Sequence, residues 1–192
     1  MTIHAAIILG LWLTLMVVWV ASAPHAKPTI GGGRVWRRAV GARLMVAVLI
    51  IIAIRASRRT HVSPDLGLRT GRPGAVAALI GTMCCVVGVA IAIWARVTLG
   101  RNWGMPMSRK ENPELVTTGP YAYIRHPIYS GFLFAMLGST IALSIVWVIP
   151  LIVSGLYFTY SARREERIMI AQFPEAYAAY RRRTKMLIPF VL

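Results

Sequence analysis

The sequence predicts an all-α, polytopic membrane helix bundle of about five transmembrane helices, followed by a cytoplasmic C-terminal amphipathic helix. Two observations carry this prediction. Apolar residues make up 57% of the 192 residues and give a mean hydropathy of +0.61, and they fall in long uncharged runs. Only 15% of the residues are charged, whereas a soluble domain carries roughly a quarter. Runs of this kind belong in lipid, so a soluble globular enzyme is excluded.

Three spans are predicted in the first part of the chain, residues 1–98. Ile3–Val20 is apolar, and no charged residue precedes Lys27, so this run reaches the ~20 residues that cross a bilayer. The following Ala21-Ser22-Ala23 resembles a signal-peptidase site, which leaves cleavage of this segment as an alternative. Leu44–Ile54 is a short span bracketed by arginines that can snorkel. Gly74–Ala95 is uncharged and directly follows a proline suited to a helix start.

The second part, residues 99–192, is predicted to hold the catalytic region within the same structural domain. From His126 to Ala162 no residue carries a formal charge, a length that suits a hairpin of two arms, Pro127–Leu143 and Pro150–Tyr160, with a turn over Ser144–Pro150. Beyond it, Pro174 begins an amphipathic helix that would lie against the membrane or fold back over a site. Its aromatic face is formed by Phe173, Tyr177 and Tyr180.

The charge balance also indicates a membrane protein rather than a nucleic-acid-binding one. The chain has 22 Lys and Arg against 6 Asp and Glu, a net charge of +16, and these charges connect the apolar runs. Such clusters reflect topology and attraction to anionic lipid headgroups. Five spans would place 17 of the basic residues on one side, which the positive-inside bias makes cytoplasmic together with the C-terminus. Cys84 and Cys85 are adjacent, so they offer no metal-ligand spacing, and no metal site is predicted.

The segment from Leu115 to Gly131 combines turn residues, aromatic rings and both kinds of hydrogen-bonding group beside a predicted span. Pro127 suits the first position of a helix, which leaves His126 near the N-cap, where free N–H groups and the positive dipole end favour an anionic group. Arg125 adds a charge capable of bidentate contact. Gly131 lets a flat ligand approach the backbone. The alternative is that Arg125 and His126 anchor the membrane interface and that Gly131 packs helices.

Glu165 and Glu166 directly follow the last apolar run and are two of only six acidic residues. Adjacent residues face different directions on a helix. We therefore expect at most one of them in a site, while the other pairs with Arg163, Arg164 or Arg167 of the same helix. The alternative is a solvated, salt-bridged helix start.

Together these ordered motifs resemble the isoprenylcysteine carboxyl methyltransferase family and its phospholipid-methyltransferase relatives, from about Leu99 onward. In chain order the motifs are Gly119-Pro120-Tyr121, Arg125-His126-Pro127-x-Tyr129-x-Gly131, Glu165-Glu166, the aromatic face of the last helix and Ile188-Pro189. Members are small membrane enzymes that use S-adenosylmethionine, so the resemblance implies that methyl donor here. It also implies which residues surround the methyl donor: Leu115, Val116, Tyr121, His126, Pro127, Tyr129 and Glu165.

The chain departs from the family pattern at two positions. Members often have a His two residues before the Leu115-Val116 pair, where this chain has Pro113. Eukaryotic members place a substrate-binding Arg four residues before the matching glutamate, where this chain has Ser161. At Pro113 only backbone contacts are carried over, and Arg163 or Arg164 is the candidate substitute for the substrate-binding Arg.

Methyl transfer from a sulfonium is an in-line displacement that favours a dry, partly aromatic pocket, which Tyr121 and Tyr129 would wall. We expect Arg125, His126 and the helix N-terminus to hold the carboxylate of the methyl donor, with the backbone at Gly131 close by. Glu165 would take its amino group or ribose hydroxyls.

The expected acceptor is a lipophilic small molecule or lipid that reaches the pocket laterally between helices. A carboxylate acceptor needs no general base, whereas an amine or hydroxyl acceptor makes His126 or Glu166 a candidate base. Two other functions stay open at this point. One is an NADPH-dependent membrane reductase, since sterol reductases have similar His-Pro-x-Tyr and Glu-Glu motifs, and the other is a non-catalytic lipid-binding module. The sequence does not determine the oligomeric state.

Overall fold

The computed structural model describes residues 2–25, 27, 73–104 and 114–188, and these residues form an all-helical fold. The α-helices in this part of the chain are α1 Ile3–Ser22, α2 Ala75–Leu99, α3 Pro127–Leu143, α4 Val148–Gln172 and α5 Pro174–Arg183. The all-α class predicted from the sequence is therefore confirmed for the described residues. The predicted short span Leu44–Ile54 lies outside them.

Some predicted boundaries coincide with the structure and others differ. Helices α1 and α2 end at Ser22 and Leu99 rather than at Val20 and Ala95, and α4 begins at Val148, within the predicted turn Ser144–Pro150. The first arm of the predicted hairpin is α3 itself, and α5 begins at Pro174 as expected. The second arm was predicted to end near Tyr160, but α4 continues through the charged residues to Gln172. The apolar run ends at residue 162, but the helix continues beyond it. Arginine, glutamate and methionine, which follow, are good helix formers.

Helices α2 and α3 form the closest packing in the described part of the chain, because glycines let their backbones meet. A Cβ built on Gly88 would lie 2.4 Å from the backbone N of Ala135, and one on Gly81 would lie 2.5 Å from the backbone N of Ala142. Gly131 faces this same crossing, and a Cβ built on it would lie 2.7 Å from backbone atoms of α2. Small residues of this kind allow close helix approach inside a membrane.

Helix α1 packs on the α2–α3 pair and is fixed there by two polar contacts. Trp12 donates its Nε1–H to Ser139 Oγ over 3.1 Å, and His4 Nδ1 lies 3.0 Å from Thr82 Oγ1. Between them lies the apolar core of the three helices, formed by Ile8, Leu15, Cys85, Val89, Ala92, Ala135 and Ala142. These contacts set the register of α1 against the other two helices.

A buried arginine joins the ends of α1 and α2. Arg96 is 3% exposed, and its guanidinium donates to the carbonyl oxygens of Ser22 and Gly100 at 2.7 and 3.0 Å. It also stacks over the Trp103 ring at 4.4 Å. A cation at the carbonyl ends of two helices is stabilised by both helix dipoles, so Arg96 ties the two helices together at one level.

Two stretches of the described residues are long and apolar enough to cross a membrane, Ile3–His25 and Ala75–Asn102, and Pro127–Leu143 is a shorter apolar helix. Their outward faces are rich in exposed aliphatic side chains, such as Val97, Val20 and Val76, which are 68%, 69% and 71% exposed. Lipid is the solvent that suits such faces.

Candidate functional site

The site is built where the last residues of the described chain lie alongside the segment that leads into α3. Arg125 and His126 donate their backbone N–H groups to the carbonyl oxygens of Lys185 and Met186 at 2.8 and 3.1 Å. Pro127 occupies the first position of α3, and His126 is its N-cap residue, with no side-chain cap hydrogen bond. The imidazole is thereby held at the helix start while its ring stays available for other contacts.

Both glutamates of α4 face this imidazole. Glu165 Oε2 lies 3.5 Å from His126 Nδ1, and Glu166 Oε1 lies 3.8 Å from His126 Nε2. The sequence led us to expect at most one glutamate in the site; both carboxylates approach the imidazole, although only Glu165 keeps an accessible face. Both approach it because His126 lies between two side chains that diverge along the helix, so each ring nitrogen approaches a different carboxylate.

Glu166 forms the buried ionic part of the cluster. It accepts from Arg125 Nε at 2.6 Å and lies 3.4 Å from Arg181 Nε, instead of pairing with an arginine of its own helix as predicted. Arg125 also donates to the carbonyl oxygens of Thr184 and Arg181. The side chains of Arg125 and Glu166 are each 9% exposed, so this pair fastens the end of α5 to α3 and α4.

Glu165 is held by neutral donors and is more accessible. Its Oε1 accepts from Tyr129 Oη at 2.5 Å and from Ser161 Oγ at 2.9 Å, and the two hydroxyl oxygens are themselves 3.1 Å apart. The Glu165 side chain is 25% exposed. This carboxylate is therefore fixed in position and still reachable by a ligand.

Aromatic rings form one wall of the site. The His126 ring stacks on Tyr129 with centroids 5.6 Å apart, and Tyr129 stacks on Phe158 at 4.6 Å. Interplanar angles of 5° and 7° show that the three rings are nearly parallel. Such a column excludes water from one side of the imidazole and stabilises a cation beside it.

The electrostatics of the cluster favour its charged forms. Burial by itself would lower the pKa of His126, but the close negative charges of Glu165 and Glu166 outweigh it and raise that pKa above its usual value. Burial opposes ionisation of the two carboxylates, yet contacts with His126, together with Arg125 for Glu166 and Tyr129 and Ser161 for Glu165, hold both pKa values below the usual range. The contacts thus favour the imidazolium form of His126 between two carboxylates.

Helix α5 folds back over the site. The sequence had left open whether this helix does so or lies against the membrane. Tyr177 and Tyr180 are each 3% exposed, and Tyr180 Oη donates to the carbonyl oxygen of Tyr121 at 2.6 Å. Burial raises the pKa of Tyr180 to about 12 and raises that of Tyr121 further, so both hydroxyls stay protonated. The predicted site residue Tyr121 is 6% exposed and lies under this helix.

The remaining predicted site residues divide into two groups. Leu115 and Val116 lie in an irregular, partly buried segment before the turn Gly119–Ala122, and a left-handed φ of 57° at Gly119 starts that turn. Gly131, by contrast, faces the backbone of α2. Its contacts support the helix-packing alternative rather than the approach of a ligand.

Two residues of the site were not predicted to take part in it. Ser161, fully buried, joins Tyr129 to Glu165, and its spacing of one helical turn before Glu165 was the signal that could have indicated it. Phe158, which completes the ring column, had no such signal because one aromatic in an apolar run looks like any core residue. Among the residues that the structure describes, no group of three or more His, Cys, Asp or Glu side chains could hold a metal ion.

The fold and the site together define a helical membrane protein with a buried histidine–carboxylate cluster at the end of a helix hairpin. Residues 79–171 match the model of the isoprenylcysteine carboxyl methyltransferase family. The resemblance drawn from the motifs is therefore confirmed over this region, which is just under half of the chain. The family match, together with the apolar helices, also confirms the membrane character of the chain.

Two curated relatives match the chain over part of its length. The chain is 36% identical over 108 residues to the cobalt-zinc-cadmium resistance protein CzcN of Cupriavidus metallidurans, a match that covers 54% of this chain and 47% of that protein. It is 29% identical over 116 residues to the protein-S-isoprenylcysteine O-methyltransferase of Tribolium castaneum, covering 58% and 41% of the two chains. The chain thus spans about half the length of the curated relatives it matches.

A solved structure shares the fold. The eukaryotic intramembrane Ras methyltransferase of the isoprenylcysteine carboxyl methyltransferase type superposes with a TM-score of 0.59 at 24% sequence identity. The match covers 79% of this chain and 53% of that one. At this identity the likeness supports the fold, and the chemistry has to be argued from the site.

Proposed function

We propose that this chain is an integral membrane methyltransferase that uses S-adenosylmethionine and acts on a lipophilic acceptor. The single observation that carries the proposal is the convergence of His126, Glu165 and Glu166, from two distant segments, on one buried cluster within the matched family region. The names of relatives such as the Tribolium protein-S-isoprenylcysteine O-methyltransferase support this class of reaction.

The residues present fit such a methyl donor. His126 Nε2 is a buried nitrogen without a hydrogen-bond partner among the described residues, and Glu165 is a fixed carboxylate with an accessible face. When bound, S-adenosylmethionine supplies an electrophilic methyl group on a sulfonium. Protonated His126 at the start of α3 suits its carboxylate, and Glu165 suits its amino group or its ribose hydroxyls.

Arg125 and Glu166 take different roles in this proposal from those the sequence indicated. Each already uses its charge on the other, on Arg181 or on the backbone of the C-terminal segment. We assign them as positioning residues, which hold His126 and α5 in place. The methyl-donor pocket is then formed by His126, Pro127, Tyr129 and Glu165 with Tyr121 and the Leu115-Val116 segment beside them.

The same cluster favours an acceptor that is already a nucleophile. A general base near neutral pH needs an unprotonated group with a pKa close to that pH. The contacts of His126 raise its pKa and favour the protonated form, and those of Glu165 and Glu166 lower their pKa values and make them weaker bases. A lipophilic carboxylate needs no base, so this acceptor class fits better than an amine or a hydroxyl.

The proposal includes the membrane orientation and the span count predicted from the sequence. Five spans with the C-terminal helix on the cytoplasmic side place His126 and Glu165 where a water-soluble methyl donor enters. The lipophilic acceptor then reaches the pocket from the bilayer. This arrangement explains why methyl transfer is performed within a membrane protein.

Binding of the methyl donor to the full chain in detergent tests the proposal. We expect S-adenosylmethionine to raise the thermal midpoint of the wild type and NADPH to leave it unchanged. Glu165→Gln and His126→Gln should each weaken methyl-donor binding at least tenfold, since a charge-assisted hydrogen bond of about 1.5–3 kcal/mol is lost. Glu175→Gln, which changes an exposed glutamate on α5, is the matched control. Unchanged affinity in both site variants, or a midpoint raised only by NADPH, would contradict the proposal.

A further inference from the structure

One face of α4 carries a groove that the proposed methyl-transfer site does not use. It has a volume of about 630 Å³. Its apolar part contains Ile152 and Leu156, which are 56% and 69% exposed, followed by Tyr160. Its other end is formed by Arg163, Arg164 and Arg167.

The three arginines at the end of this groove carry positive charge that no acid among the described residues neutralises. All three are exposed, and no salt bridge in the described part of the chain involves them. Arg164 donates to the Tyr160 hydroxyl at 3.3 Å, which leaves its charge unpaired. Arg163 and Arg167 are one helical turn apart, where like charges repel.

The two nearby acids on α4 do not relieve this repulsion, because their carboxylates are engaged by other residues. Glu166 is bound to Arg125 and Arg181, and Glu165 accepts from Tyr129 and Ser161. An anion from outside the described residues would therefore neutralise the charge of these arginines. A guanidinium cluster binds phosphate through paired hydrogen bonds.

The order of the groove residues identifies the kind of anion. Apolar side chains exposed for two turns lead directly into the arginines, which places the charges where an apolar helix leaves the hydrocarbon region. A soluble anion would use only the arginine end. A molecule with a phosphate joined to acyl chains would use both ends of the same face.

We propose that this groove binds an anionic phospholipid, with its phosphate on Arg163, Arg164 and Arg167 and an acyl chain along Ile152 and Leu156. The site lies on the face of α4 opposite Ser161 and Glu165. A bound lipid therefore fixes the depth of α4 in the bilayer, and with it the level of the site carboxylates, without entering the methyl-donor pocket.

Lipid binding by the full-length chain tests the proposal independently of methyl transfer. The purified protein is exchanged from detergent into lipid mixtures, and the bound lipid is counted by native mass spectrometry with phosphatidylglycerol and phosphatidylcholine as probes. Each basic residue at a membrane surface contributes about fivefold to binding of an anionic lipid. Arg163→Gln, Arg164→Gln and Arg167→Gln combined should therefore weaken phosphatidylglycerol binding by up to about 100-fold.

A matched control has the same change in net charge elsewhere. Arg101, Arg182 and Arg183 are exposed arginines outside the groove, and their combined replacement by Gln should change phosphatidylglycerol binding by less than about threefold, the effect of overall charge alone. Inorganic phosphate at millimolar concentration should not displace the lipid. Displacement by inorganic phosphate, equal retention of phosphatidylcholine, or equal losses in the two triple variants would overturn the proposal.

A photo-cross-linker at position 156 identifies what covers the groove. With Leu156 replaced by benzoylphenylalanine, irradiation should add the mass of one phosphatidylglycerol molecule. A cross-linked dimer would show that a second copy occupies the groove. A link to residues 28–72 would show that this chain covers its own face. Either of these two results would also overturn the proposal.

Discussion

Alanine substitutions at Gly81 and Gly88, the two glycine contacts of α2 with α3, test whether helix packing affects stability alone or also the geometry of the site. A Cβ on Gly88 would lie 2.4 Å from Ala135 N, and one on Gly81 would lie 2.5 Å from Ala142 N. Ordinary contacts begin at 3.4 Å, so either substitution must force the helices apart locally by about 1 Å. The obstacle is backbone, which no change of side-chain rotamer relieves.

Both substitutions should destabilise the protein by similar amounts. Overpacking costs about 1–3 kcal/mol, and this rigid contact belongs at the upper end. The better helix propensity of alanine returns about 1 kcal/mol, which leaves a net loss of about 2 kcal/mol. For a chain of this size that loss lowers the thermal midpoint by roughly 4–8 °C. Gly10→Ala is the control, since a Cβ there meets nothing within 4 Å.

The two variants should differ in binding of the methyl donor, because the contacts lie at different distances from the site. Gly88 meets α3 at Gly131 and Ala135, and Gly131 is only about 7 Å along the helix from His126. Gly81 meets α3 near its other end, roughly 18 Å or more from His126. A displacement of about 1 Å near reacting groups costs up to about 100-fold.

We therefore expect Gly88→Ala to weaken binding of S-adenosylmethionine by about 10-fold to 100-fold and Gly81→Ala by less than about threefold. Differential scanning fluorimetry and equilibrium binding in the same detergent measure both quantities. The reasoning fails if Gly88→Ala is as stable as Gly10→Ala. It also fails if Gly81→Ala weakens binding as much as Gly88→Ala does.

Two further predictions follow from the return of α5 and from the charged cluster. Tyr180→Phe removes the buried hydrogen bond to the Tyr121 carbonyl and should lower the free energy of unfolding by about 1–2 kcal/mol. The control Tyr123→Phe changes an exposed ring and should leave the free energy of unfolding unchanged. Equal thermal midpoints for the two variants would refute this prediction. Because the pKa of His126 is raised in the folded state, its stabilising contribution is complete below the usual value of 6.5 and is lost as the pH rises through the folded value. The lowered pKa values of Glu165 and Glu166 give stability that is present above their usual 4.5 and is lost as the pH falls through the folded values. The cluster should therefore make the thermal midpoint highest between about pH 4.5 and 6.5. His126→Gln should abolish the fall of the thermal midpoint at higher pH. A fall of the same size in that variant would show that His126 does not cause it.

The sequence by itself determined the helical membrane class and most helix boundaries, because both depend on local properties. Long uncharged runs require lipid and internally satisfied backbone groups, and Pro127 and Pro174 occupy first helical positions, which suit the fixed φ of proline. The chain also indicated which residues carry chemistry, since charged and aromatic groups at the end of an apolar run, such as Arg125 and Glu165, stand out from their surroundings.

Only the tertiary structure decided how those residues divide their roles. Periodicity within α4 placed Glu165 and Glu166 on different faces, but it did not show that His126 would lie between them. The sequence periodicity also did not predict that Arg125 pairs with Glu166 and donates to the Thr184 carbonyl oxygen. Partners about 40 and 60 residues away are selected by three-dimensional packing, and a periodic pattern along the chain contains no information about that distance.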